Sequence, residues 1–199
     1  MKCINFDLWN KHFNLKKMAY IELNNNLPGL GSLLMYRPET AKAIRELAET
    51  LYVGPSQLSK ADRELIASYI ASLNNCEYCQ HSHGAVAAWH LDGNFKFVAE
   101  VIANPDYSKL SEKMKYLLRI AKKVNSSGKE VKPIDIEEAR QHGANDEEIH
   151  DTVLIAAASA MFNRYLDGLG ALTPKDPEMY KMMGKKLAEN GYLKPMSRD

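Results

Sequence analysis

A chain of 199 residues, 45% of them apolar, with 11 glycines, 8 prolines and 3 cysteines, buries roughly 70% of its unfolded surface and needs no disulfide or metal staple to fold. Its 26 Lys and Arg against 25 Asp and Glu leave a formal charge of +1, which excludes the broad cationic face that releases counterions from nucleic acid. The longest nearly unbroken apolar run, Val153 to Met161, is about half of the ~20 residues that cross a bilayer, so no transmembrane helix is expected.

Residues 1–27 form an N-terminal arm without a clear period. Asn5, Asp7, Asn10 and Lys11 interrupt any apolar stretch and no A-x-A cleavage site follows, so a cytoplasmic protein with reduced thiols is expected. Met18 to Leu23 reads as a short strand or an extended arm, and Cys3 as a spectator thiol. Further on, alternating strand patterns are nearly absent and apolar residues recur at helical intervals, which predicts an all-α protein. The first predicted helix, Pro38 to Tyr52, sets Ala41, Ile44, Leu47, Ala48 and Leu51 on one stripe, with Pro38 suited to the first helical position and Gly54-Pro55 ending it. Ser59 with Asp62 has capping-box spacing before Leu65, Ile66, Tyr69, Ile70 and Leu73, and that helix is expected to stop near Asn74-Asn75.

The next helix, about Cys76 to His90, carries Gly84, Ala85, Ala87 and Ala88, small enough for neighbouring helices to approach closely, and Gly93 closes it. Ser111 caps a helix through Leu117, Leu118, Ala121 and Val124, followed by a loop over Asn125-Ser126-Ser127-Gly128. Asp135 with Glu138 opens a short helix ending at Gly143. Asn145 caps a long helix to Gly168 with Asp146, Glu147 and Glu148 in its first turn, where the helix dipole favours acids. The last helix, about Pro177 to Asn190, has Met179, Met183 and Leu187 on one side and a solvated face of Lys181, Lys185 and Lys186. The expected organisation is a single domain: the arm, a helical core over about 28–172, and the C-terminal helix within 173–199.

The informative tract is Glu64 followed by Cys76-Glu77-Tyr78-Cys79-Gln80-His81-Ser82-His83. Cys76, Cys79 and His83 stand at i, i+3 and i+7 and share one helical face, whereas His81 points to the other side. A helix starting near Asn75 sets both thiols in its first turn, where unpaired N–H groups favour an anion. Bringing a thiol from a pKa near 8.5 to about 7 takes roughly 2 kcal/mol. A helix terminus typically supplies ~0.3–1 kcal/mol, so a base is required, and His83, one turn beyond Cys79, is the right type at a reachable distance. In one straight helix Glu64 would lie some 18 Å from Cys76. The chain is therefore expected to reverse at Asn74-Asn75, an antiparallel return that sets Glu64 beside His83, where a carboxylate can fix the histidine tautomer and pass its proton on. Structural zinc on Cys76, Cys79, His81, His83 and His90 is a rival reading, opposed by the orientation of His81 and by the lack of a second closely spaced cysteine pair. Tyr78 and Trp89 read as packing residues, and His90 as packing or a polar contact.

The pattern Glu64…Cys76-x-x-Cys79-x-x-x-His83 resembles the AhpD-like alkylhydroperoxidase branch of the carboxymuconolactone decarboxylase family, particularly its peroxidase-related members. Pro28-Gly29-Leu30, Leu33-Leu34, Arg37-Pro38-Glu39, Phe162-Asn163-Arg164 and Leu166-Asp167-Gly168-Leu169-Gly170 are similar to that branch as well, so the likeness covers most of residues 25–172. It implies a compact multi-helix AhpD-like fold with the CxxC at a helix N-terminus, assembly into trimers, hexamers or related homo-oligomers, and a cofactor-free thiol peroxidase in antioxidant defence that reduces hydroperoxides. By that likeness Cys79 attacks the peroxide, Cys76 resolves the sulfenic acid as a disulfide, and Glu64 and His83 relay protons. The best-known pattern has a histidine between the cysteines where this chain has Tyr78. That departure leaves open the electron donor, a dithiol or a lipoyl-bearing protein. A lyase of the wider family acting on a lactone acid, and a non-catalytic oligomer with structural zinc, are the alternatives.

Overall fold

The computed structural model describes residues 19–106 and 109–194; Cys3 and Met18 lie outside them. Among the described residues there are nine α-helices and no strand. They are α1 (Gly29–Tyr36), α2 (Pro38–Tyr52), α3 (Lys60–Leu73), α4 (Glu77–Trp89), α5 (Phe95–Ala103), α6 (Glu112–Ser126), α7 (Pro133–Gln141), α8 (Asp146–Gly168) and α9 (Pro177–Asn190). Among the described residues no helix is long and apolar enough to cross a membrane.

The local chemistry sets most of these bounds. Pro38 opens α2, and the Ser59, Ser111 and Asn145 side chains accept the first-turn N–H groups of α3, α6 and α8. Four expectations are corrected. The α7 helix starts at Pro133 rather than Asp135, whose carboxylate sits one turn inside and accepts the Lys132 N–H at 2.8 Å. Asn125 and Ser126, expected in a loop, still belong to α6, and Gly128–Glu130 forms a 3₁₀ turn. In the arm, residues 19–23 form no strand, although the Tyr20 N–H bonds to the Leu169 carbonyl at 2.8 Å. Trp89 is 39% exposed, with its indole N–H donating to the Lys181 carbonyl at 3.1 Å.

The position of α3 decides where the site can form. Ala61, all residues from Arg63 to Ala71, and thus both charged groups Arg63 and Glu64, are buried. A helix enclosed on every side lies at the centre of its fold, and here α4, α6 and α8 pack around it. Buried charges require partners. Arg63 Nη1 donates to the Leu51 and Gly54 carbonyls at 3.1 and 2.8 Å, fastening the end of α2. Glu64 is paired within the site.

The α4 helix lies between α3 and α9, and its small residues serve both neighbours. Gly84 faces Ser68 of α3, whose hydroxyl donates to the Gln80 carbonyl at 2.8 Å. On the other side Gly184 of α9 comes so close that a Cβ there would stand 2.6 Å from that of Ala85. The main core is shared by α2, α3, α5, α6 and α8. A second cluster, formed by Leu33, Tyr78, Leu166, Tyr180 and Met183, surrounds Cys76 and Cys79.

Candidate active site

Asn74 caps the end of α3, Asn75 takes a left-handed conformation at φ 57°, and Cys76 is the N-cap of α4. Asparagine tolerates that conformation better than other side-chain-bearing residues. The chain thus reverses at the expected residues. His83 Nδ1 and Glu64 Oε2 meet at 2.6 Å with side-chain exposures of 13% and 2%. Since a carboxylate only accepts, Nδ1 carries the proton, which leaves Nε2 as the second ring nitrogen. Burial opposes charge on His83, but the Glu64 carboxylate and the neighbouring Cys79 sulfur prevail and raise its pKa.

Both cysteines are free and buried. They form an asymmetric pair: Cys76 keeps its proton and donates to the Cys79 sulfur. Sharing that hydrogen bond and being buried push the Cys76 thiol far up. The Cys79 thiol is lowered, first by the Cys76 hydrogen bond, against the opposing effect of burial, and further by His83 and by a hydrogen bond with Asn163. Tyr78 is buried, its hydroxyl donating to Met183 Sδ at 3.4 Å and its ring edge-on to Tyr180. The residue between the cysteines is therefore a packing residue.

His81 is exposed and its ring lies 5.2 Å from that of Tyr180, away from the sulfurs. His90 lies two turns beyond His83 and is half-buried. Among the described residues no three His, Cys, Asp or Glu side chains converge as a metal-binding group.

Cys79, Ser82 and His83 open into a cavity of about 570 Å³ walled by Leu30, Leu34, Ile44, Phe162 and Leu187 among others, with Lys42, Arg45 and Glu46 also lining it. Substrate-sized pockets fall in this range. The apolar wall keeps the dielectric low around the sulfur and strengthens each charge effect described above.

Two residues with no assigned site role in the sequence reading belong to this geometry. Asn163 of α8 is buried, and its Oδ1 accepts from Asn74 Nδ2 at 2.9 Å, leaving its own amide protons for Cys79. Asn74 in turn donates to Asn125 Oδ1 at 2.9 Å and accepts from Asn125 Nδ2 at 3.0 Å. An isolated amide among the buried apolar residues of α8 is the signal that could have found Asn163. Tyr192, beyond α9, donates to Glu64 Oε1 at 2.7 Å, and no periodicity announces it. Asn163→Ala is expected to raise the Cys79 thiol and slow its alkylation by iodoacetamide at neutral pH about fivefold. An unchanged rate–pH curve would show that the amide has no influence on the sulfur.

The described helices, with two cysteines at the entrance of α4 answered by a histidine and a glutamate, have an AhpD-core-like fold. The crystal structure of an uncharacterized peroxidase-related protein from Silicibacter sp. TM1040 superposes with a TM-score of 0.70 at 28% identity, over 77% of this chain and 78% of that one. An uncharacterized peroxidase-related protein from Ralstonia eutropha JMP134, described as an alkylhydroperoxidase AhpD core, gives 0.71 at 27% identity over 80% and 82% of the two chains. Residues 38–123 match the Carboxymuconolactone decarboxylase family model. Comparison with curated proteins returned no match.

Proposed function

We propose that this protein is a thiol-dependent peroxidase that reduces organic hydroperoxides with Cys79 and Cys76. The observation that carries this reading is the asymmetric sulfur pair: a Cys79 thiol lowered by its neighbours, on a cavity it shares with a Glu64-paired His83.

The Cys79 thiolate attacks the terminal peroxide oxygen, forming an S–O bond as the O–O bond breaks. The departing alkoxide takes a proton from the His83 imidazolium and leaves as an alcohol. Cys79 is then a sulfenic acid, oxidised by two electrons. Cys76 attacks that sulfur, the S–S bond forms, and the hydroxyl leaves as water with a relayed proton. Asp167, beside Cys76 and raised in pKa by partial burial, is suited to receive the Cys76 proton. A dithiol, free or lipoyl-borne, returns two electrons and two protons by disulfide exchange. Free thiols at rest suit a reducing compartment such as the cytoplasm. Homo-oligomerisation as a trimer or hexamer belongs to the same reading, and exposed Leu154 and Met161, two turns apart on α8, offer an apolar face for it.

One equivalent of cumene hydroperoxide added to the reduced protein is expected to yield cumyl alcohol and a Cys76–Cys79 disulfide, seen by peptide mass spectrometry as the loss of two hydrogens. Thiols left unmodified by excess hydroperoxide would dispose of the reading. Consumption of a lactone acid with both thiols blocked would instead support a lyase.

A further inference from the structure

The chain beyond α9 carries a contact that the reaction above does not use. Gly191 turns the chain at φ 71° and ψ −164°, a conformation in which glycine alone is unstrained. It also leaves no room for a side chain, since a Cβ would stand 2.5 Å from a Glu49 carboxylate oxygen. That carboxylate grips the turn from α2, accepting the N–H groups of Tyr192 at 2.6 Å and Leu193 at 3.3 Å. Arg45, one turn away, donates to the Lys194 carbonyl at 3.4 Å. Held in this way, Tyr192 aims its hydroxyl at Glu64 Oε1, the oxygen opposite the one that accepts from His83. Its ring centroid lies 5.3 Å from that of Tyr52 and 6.4 Å from that of His83.

We propose that Tyr192 is a positioning residue for the Glu64–His83 pair, delivered by the Glu49–Gly191 clasp, so that the C-terminal segment is part of the proton-handling machinery. A buried carboxylate with one oxygen unsatisfied is costly and free to rotate; a donor on each oxygen fixes a single orientation and keeps Oε2 on Nδ1. Burial and the adjacent Glu64 carboxylate hold the Tyr192 phenol protonated, so it donates throughout the neutral range. The charged and titratable groups that act on Glu64 or on its partners His83 and Tyr192 are Arg63 on α3, Tyr52 and Glu49 on α2, Cys79 on α4, and His90 just beyond it.

Tyr192→Phe removes the hydroxyl and keeps the ring. Its kcat for an organic hydroperoxide is expected to fall about tenfold with KM changed less than about twofold. Its pH profile is displaced from that of wild type, because Oε2 is no longer held on His83 Nδ1. Gly191→Ala, which forces the clasp open, reproduces both changes. The kinetic arm rests on the peroxidase reading, so the same variants are also followed by Cys79 alkylation with iodoacetamide across pH, which requires no peroxide. An alkylation profile of Tyr192→Phe displaced from wild type supports the proposal even if no form turns over hydroperoxide, an outcome that sinks the peroxidase reading alone. Superimposable alkylation profiles for wild type, Tyr192→Phe and Gly191→Ala overturn it.

Discussion

Cys79→Ser is expected to reduce hydroperoxide turnover by about a thousandfold or more, because a serine hydroxyl in this setting supplies neither the anion nor an oxidisable sulfur. The substitution is nearly isosteric and leaves the helix entrance intact, so the melting temperature should stay close to wild type. Cys76→Ser behaves differently. The serine hydroxyl can still donate to Cys79, so the first oxidation is retained, but the sulfenic acid then has no resolving partner within the turn. One equivalent of hydroperoxide is consumed and catalysis stalls. A sulfenic-acid-specific label on Cys76→Ser, absent from wild type after the same treatment, separates the two roles. Labelling of Cys76 in the Cys79→Ser protein, with turnover preserved, would exchange them.

Glu64→Gln should lower kcat about a hundredfold, at the low end of what a positioned acid–base group supplies. The amide cannot hold a positive imidazole, so His83 no longer stores the proton that the alkoxide needs. Stability changes with a definite sign. The raised pKa of His83 in the folded protein means that its ion pair stabilises the fold fully below about pH 6.5, the value of an unpaired histidine. That contribution fades as pH rises through the higher folded value. The destabilisation of Glu64→Gln should therefore be largest in acid and shrink toward alkaline pH. Urea unfolding of both proteins at pH 5.5 and pH 9 measures it, and a gap that widened with pH would contradict the ion pair.

The helices legible in the sequence are those with written ends. Pro38, Ser59, Asn145 and Pro177 stand where α2, α3, α8 and α9 begin, and long apolar stripes follow each. The α1 and α5 helices are not legible, because eight- and nine-residue apolar segments carry too few turns to show a period. Asn94 after Gly93 was the available clue, its side chain accepting the Phe97 N–H at 3.1 Å. In α7 the acid one turn inside the helix, Asp135, reads as a cap, while Pro133 marks the true start. The meeting of Glu64 with His83 could be read because both residues lie at similar distances from one reversal, so counting residues suffices. Asn163 and Tyr192 come from distant parts of the chain and reach the same place only through packing against α3 and α4, which no local pattern encodes.

The asparagine that ends α3 also orients the amide that faces the sulfur. Backbone architecture and chemical temperament are thereby entrusted to one side chain. Anyone seeking to retune this sulfur has little latitude at Asn74: a replacement that preserves the bend but not the amide dulls the nucleophile, and one that spoils the bend separates Glu64 from His83 outright.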